Sequence, residues 1–130
     1  MQFTGSAISL NVRDVAASAE WAKTHLGFEE AMADQGFASL THPDVGFNLI
    51  FLSVGLGSFK PASAAGPADG LLVVFTLDNI DEEYARLRDA GVEIVTPIET
   101  EPWGERYFQM ADPSGVIYQL VQWVDEPVSD

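Results

Sequence analysis

Apolar and polar residues alternate from Ala7 to Arg13, with Ile8, Leu10 and Val12 on one side and Ser9, Asn11 and Arg13 on the other. A period of two predicts a strand with one buried face. Asp14 then stands where a helix N-cap is wanted, and Val15, Ala19, Ala22 and Leu26 recur at helical spacing. Gly27 closes that helix as a C-terminal cap. Phe28 to Ala33, Phe37 to Thr41 and Phe47 to Val54 read as three more strands, parted by Asp34-Gln35-Gly36 and by His42-Pro43-Asp44-Val45-Gly46. The first half, about residues 5–54, is therefore βαβββ.

Residues 55–70 have the Gly, Ala, Pro and Ser content of a linker or long loop, with Phe59 and Lys60 as the large side chains in its middle. The pattern then starts again over about residues 71–125. Leu71 to Leu77 is an apolar strand, and Asn79-Ile80-Asp81-Glu82-Glu83 opens a helix with acids in its first turn, where the helix dipole favours them. Ile80, Tyr84 and Leu87 mark its buried side and Gly91 ends it. Val92 to Val95 reads as a short strand, interrupted by Pro97 and Pro102 around Trp103-Gly104. Glu105 to Ala111 and Val116 to Val124 are the last two strands, joined by the turn Asp112-Pro113-Ser114-Gly115. Val12-Arg13-Asp14-Val15 returns 65 positions later as Leu77-Asp78-Asn79-Ile80, and Leu26-Gly27-Phe28-Glu29 returns 64 positions later as Ala90-Gly91-Val92-Glu93. Two βαβββ modules in tandem predict an α+β fold with pseudo-twofold symmetry, each sheet covered on one face by its own helix and the two together enclosing a cleft.

Composition narrows the function. At 130 residues the chain reads as one domain able to bury about two thirds of its unfolded surface. The absence of cysteine excludes thiol chemistry, disulfide scaffolds and cysteine zinc sites. No apolar run approaches the roughly 20 residues of a membrane span, and the first residues lack the pattern of a signal peptide, so a soluble cytoplasmic protein is expected. Six Lys and Arg against twenty Asp and Glu give a net charge of -14, which argues against nucleic acid and permits attraction of a cationic ligand. No nucleophile–base pair or Gly-x-Ser-x-Gly elbow is visible. Glu105 and Tyr107 could act as base and acid, but their spacing does not demand it.

The chain resembles the vicinal-oxygen-chelate superfamily, the group of glyoxalases, bleomycin-resistance proteins and extradiol dioxygenases. The residues that carry the likeness are Leu10-Asn11-Val12-Arg13-Asp14, Leu26-Gly27-Phe28, Trp103-Gly104-Glu105-Arg106-Tyr107 and Asp112-Pro113-Ser114-Gly115. The resemblance implies a divalent metal held by His, Gln or Glu in enzymes of the group. The matching positions here are Ala7, Leu72 and Gln119, with the fourth near Ile50. Three aliphatic side chains and one amide cannot hold a dication. His25, on the first helix, and His42, before Pro43, read as surface residues. No metal and no cofactor are expected.

If Ala7 faces the cleft, so do Ser9 and Asn11, with Val74 and Thr76 on the fifth strand and Ile117, Gln119, Val121 and Trp123 on the last. Asn48, Ile50 and Leu52 come from the fourth. Trp103 and Phe59 are candidates to stack on a ligand or to pack over the cleft's edge. Arg106, sharing a face with Phe108, either orients a ligand carboxylate or carbonyl or pairs with Glu105 or Asp112. Trp21 reads as packing or subunit contact. The candidate ligand residues are Ser9, Asn11, Asn48, Phe59, Thr76, Trp103, Arg106, Phe108 and Gln119, with no catalytic residue. The expected function is that of a metal-free, homodimeric small-molecule binder resembling the bleomycin-resistance branch, with a cationic or planar aromatic compound as the natural ligand. The alternative is a metal-dependent glyoxalase, dioxygenase or lyase whose ligands lie elsewhere.

Overall fold

The alternation from Ala7 onward becomes strand β1 (Ala7–Val12), and the residues after it follow the βαβββ order: helix α1 (Val15–Leu26), then β2 (Glu29–Asp34), β3 (Phe37–Thr41) and β4 (Asn48–Ser53). A computed structural model describes residues 1–56 and 66–124. The same order recurs in β5 (Leu72–Thr76), α2 (Ile80–Asp89), β6 (Glu93–Thr100), β7 (Glu105–Ala111) and β8 (Ile117–Trp123). Backbone proximity separates the chain into two units that meet at Asp69 and Gly70.

In the first unit the sheet order is β1-β4-β3-β2, with β1 parallel to β4 and the remaining pairs antiparallel. The ladder pairs Leu10 with Phe51 and Leu40 with Leu49, so these side chains share one face. All four are buried, as are Ser18, Ala19, Trp21 and Ala22 of α1, which packs on β3 and β4. Burying a large apolar side chain stabilises by roughly 1.5–3 kcal/mol, so this face forms the unit's core. Trp21 belongs to that core. Asp14 caps α1 as its position suggested, its carboxylate accepting the Ala17 N–H at 3.0 Å, and Gly27 ends it in the left-handed region at φ 79. His42 packs on Phe28 at 5.3 Å and accepts the Asp44 N–H through Nδ1, and His25 meets the edge of Trp21 at the same separation.

The second unit repeats the topology as β5-β8-β7-β6, again with one parallel pair, β5 and β8. Val73, Phe108, Met110, Tyr118 and Leu120 are buried on the face that α2 covers, together with Ile80 and Leu87 of the helix. Tyr84 of α2 meets Phe108 edge-on at 4.8 Å.

Two details depart from the sequence reading. Strand β6 runs past Pro97 to Thr100 instead of stopping at Val95. It is the outermost strand, where a missing N–H costs the ladder nothing, and register shifts on either side of Thr96 absorb the irregularity. Helix α2 is capped from outside its own segment. The Asn79 side chain makes no capping bond to the helix backbone, and the Ile80 N–H is taken by Oε1 of Gln122, reaching from β8 at 3.0 Å. Replacing Gln122 by Ala is expected to destabilise the protein by about 1 kcal/mol, as removal of a conventional cap does. Urea unfolding of Gln122→Ala beside Asp14→Ala checks this, and an unchanged midpoint for the former would show that the bond contributes nothing.

Candidate functional site

Strand β7 reads Glu105-Arg106-Tyr107-Phe108-Gln109-Met110-Ala111, and its alternation divides two kinds of chemistry. Phe108 and Met110 turn to α2 and are fully buried. Arg106 shares their face, where its guanidinium meets Asp81 of α2 at 2.6 Å and the Thr100 hydroxyl at 2.7 Å. Glu105, Tyr107 and Gln109 turn to the helix-free face. The antiparallel register sets Glu105 opposite Trp123, Tyr107 opposite Val121 and Gln109 opposite Gln119. On the other side of β7, Thr96 of β6 stands beside Gln109 and Glu99 beside Tyr107.

These side chains are joined. The Thr96 hydroxyl donates to Oε1 of Gln109 at 2.6 Å, Gln109 Nε2 donates to Oε1 of Gln119 at 2.8 Å, and Gln119 Nε2 donates to Oε2 of Glu105 at 3.2 Å. The indole N–H of Trp103 donates to the other oxygen, Oε1, at 3.0 Å. An ionised carboxylate only accepts, so Glu105 fixes the direction of the whole chain. Gln119 must offer Glu105 its amide N–H, its oxygen must then face Gln109, and Gln109 in turn must accept from Thr96. Beside this chain the Tyr107 hydroxyl lies 2.8 Å from a Glu101 oxygen and 2.9 Å from one of Glu99. Hydrogen bonding to Glu101, then to Glu99, pushes the phenol well above its usual range, because ionising it would set a third negative charge beside two.

The loop that delivers Trp103 is tight. Gly104 has φ 93, a conformation that favours glycine, and a Cβ there would lie 2.8 Å from the Val124 carbonyl oxygen. Val124 N–H bonds the Gly104 carbonyl at 2.8 Å. Trp103 is thereby held at the end of β7 with its N–H engaged and 62% of its surface exposed. Trp123 is 59% exposed, and Leu72 and Val74 on the same face are 48% and 46% exposed.

The expected ligand residues divide into groups. Trp103 and Gln119 come together through Glu105, and Thr76 lies on the same helix-free face, paired with Val121. Ser9, Asn11 and Asn48 occupy the helix-free face of the first sheet, with Ser9 beside Ile50. There Asn48 Nδ2 donates to the Ser39 hydroxyl at 3.3 Å, while Asn11 is nearly buried and donates to the Gly66 carbonyl at 2.9 Å. Asn11 also accepts the Ala68 N–H through its own carbonyl, so it pins the returning chain to β1. Arg106 and Phe108 lie apart from the others, on the face under α2, and the carboxylate partner of Arg106 is Asp81, not Glu105 or Asp112. Phe59 falls outside the described residues. Sequence reasoning passed over Gln109, Thr96, Glu99 and Glu101. The signal for Gln109 was present in the short turn at Asp112–Gly115, which forces the hairpin to pair Gln109 with Gln119.

The positions at which the resemblance would put metal ligands lie on the helix-free faces. Ala7 and Ile50 are on the first sheet and Leu72 and Gln119 on the second, and the repeated register makes Ile50 the counterpart of Gln119. Three of the four carry no donor atom. The fourth has its oxygen engaged by Gln109 and its nitrogen by Glu105. A dication needs several oxygen, nitrogen or sulfur ligands, and these residues do not fit one. Among the described residues, no group of three or more His, Asp or Glu side chains could hold a metal ion.

Residues 6–120 match the Glyoxalase/Bleomycin resistance protein/Dioxygenase superfamily, and the chain belongs to it. A crystal structure of a glyoxalase/bleomycin resistance protein/dioxygenase from Nocardioides superposes with a TM-score of 0.77 at 25% identity, covering 100% of this chain and 91% of that one. TioX from Micromonospora sp. ML1 shares the fold with a TM-score of 0.73 at 22% identity, over 94% of this chain and 100% of its own. An uncharacterized protein of Mycobacterium bovis is 35% identical over 69 residues, 53% of this chain and 44% of the relative, so the match spans less than half of that protein's length. Among the described residues no helix is long and apolar enough to cross a membrane.

Two outcomes follow from this geometry. The Arg106–Asp81 bond holds the Asp81 carboxyl below its usual value, mainly through the hydrogen bond itself. A lowered carboxyl pKa stabilises the fold above the unfolded value and loses that contribution as pH falls through the folded one. Arg106→Ala is therefore expected to cost less than about 1 kcal/mol near pH 7, since Asp81 is largely solvent-exposed, with the difference from wild type shrinking at an acid pH low enough to protonate Asp81. Urea unfolding at both pH values reads this, and an equal cost at both would sink the assignment. Gly104→Ala is expected to cost about 2 kcal/mol or more, from strain and the backbone clash together. A thermal melt indistinguishable from wild type would contradict it.

Proposed function

We propose that this protein binds a small organic molecule without a metal, on the helix-free face of its second sheet, and that it acts by holding that molecule and not by transforming it. The observation that carries the reading is the state of Gln119. At the position where enzymes of the superfamily would present a metal ligand, its amide is built into a side-chain chain running from Thr96 to Glu105. Its counterparts Ala7, Ile50 and Leu72 offer no donor at all. Around the chain lie exposed apolar and aromatic surfaces, Leu72, Val74, Trp103 and Trp123. A mainly apolar surface with a few fixed polar groups is the usual make-up of an organic-ligand site.

The reading likens the chain to the bleomycin-resistance members of its superfamily more than to the glyoxalases or dioxygenases. Pairing of two copies is part of the same reading, because two-fold dimers are the commonest soluble assembly.

Elemental analysis of untagged protein purified without chelators tests the reading directly. Less than about a tenth of an equivalent of any transition metal is expected from a donor set this poor. Near one equivalent per chain, removed by chelation, would overturn it in favour of a metal-dependent enzyme. For any ligand found by thermal-shift screening, Trp103→Ala is expected to weaken binding by about 1–3 kcal/mol, the range for an aromatic anchor. Unchanged affinity would remove Trp103 from the site.

A further inference from the structure

The reading above leaves the chemical class of the ligand open, and the charges of the second unit restrict it. Its arginines are Arg86, Arg88 and Arg106, and it has no lysine. Arg86 and Arg88 belong to α2, Arg86 pairing with Glu83 at 2.6 Å. Arg106 lies on the face under α2, taken by Asp81. The helix-free face, by contrast, carries the carboxylates of Glu99, Glu101 and Glu105, and among the described residues no arginine of this unit pairs with them.

Of those three carboxylates, Glu99 and Glu101 hold the Tyr107 hydroxyl, and Glu105 is the one bonded to an indole. Trp103 bonds it through the indole N–H, which fixes that ring beside it while leaving most of the ring exposed. Trp123 stands directly opposite on β8, on the same face and also exposed. Among the described residues each Glu105 oxygen accepts one hydrogen bond, from Trp103 and from Gln119 respectively. Each therefore keeps a lone pair for a further donor. A negative charge fixed by its neighbours, paired with no arginine among the described residues of its unit, with one indole bound to it edge-on and a second exposed indole on the residue opposite, suits a positive group better than a neutral or negative one.

We propose that Glu105, with Trp103 and Trp123 beside it, is the recognition point for an organic cation, an ammonium or amidinium carried on a flat apolar body. This rests on the binding reading above and adds the ligand's charge. The N–H groups of the cation bond the free lone pairs of Glu105, and the flat body lies against the indoles. The chain from Thr96 through Gln109 and Gln119 acts behind this contact by holding the carboxylate in place.

Two probes of nearly the same shape separate charge from stacking, naphthalen-1-ylmethylammonium and naphthalen-1-ylmethanol, titrated calorimetrically into the full chain at low salt. The ammonium is expected to bind at least about tenfold more tightly, a preference that added salt reduces. In Glu105→Gln, which keeps the side chain's shape, the ratio is expected to fall to about one. Trp123→Leu is expected to weaken both probes. The indole N–H resonances of Trp103 and Trp123 are expected to shift on binding, while that of the core residue Trp21 stays in place. Equal affinity for the two probes would overturn the cation assignment and leave the binding reading standing. A preference that survives in Glu105→Gln would overturn the role of Glu105. Absence of binding by either probe would overturn the cation site, while the metal analysis and ligand screen described above judge the broader reading separately.

Discussion

Each sheet in this protein has two faces and one helix of its own to cover them. The helix claims the face that supplies the core, and strict alternation along every strand sends the intervening residues to the other side. That division decides what each position is free to become. Leu10, Leu40, Leu49 and Phe51 are committed to packing against α1, as Phe108, Met110 and Tyr118 are to α2. Ser9, Ile50, Gln109, Gln119 and Glu105 carry no such duty, so they can hold chemistry without loss of the core.

The two units use this freedom differently. Equivalent ladder positions hold Phe37, Ser39 and Ile50 on the first sheet and Tyr107, Gln109 and Gln119 on the second. At these three positions the first sheet carries small or apolar side chains, while the second carries two amides of the chain that ends at Glu105 and the phenol that bonds Glu99 and Glu101. The backbone plan has been kept in both copies while the polar chemistry is concentrated in one.

The fold was legible because it rests on local signals: alternation, Asp14 and Gly27 at the ends of α1, and a repeat visible by counting. The site was only half legible. Trp103 and Gln119 could be chosen from the resemblance, but the face of β7 depends on its register with β8, and Arg106 and Phe108 were therefore assigned with the ligand residues although they lie under α2. Gln109 looks like any surface glutamine until Gln119 is set opposite it. Asn11 was expected beside a ligand because of its strand parity; it does lie on the helix-free face, where its amide donates to the Gly66 carbonyl. Gln122 as the cap of α2 joins positions 42 residues apart, a distance no local pattern spans.

The side-chain chain on the second sheet has an origin and an end, because one carboxylate sets its sense. If that carboxylate became a neutral amide or acid, the indole of Trp103, which only donates, would hold its oxygen, its own N–H or O–H would face Gln119, and the reversed sense would be favoured, with the amides of Gln119 and Gln109 turned over together. The Thr96 hydroxyl, which never touches Glu105, would then rotate from donor to acceptor. The sheet thus has a means of carrying a one-bit message from β7 across β8 and back to β6 with no movement of the backbone, written in the orientation of two glutamines.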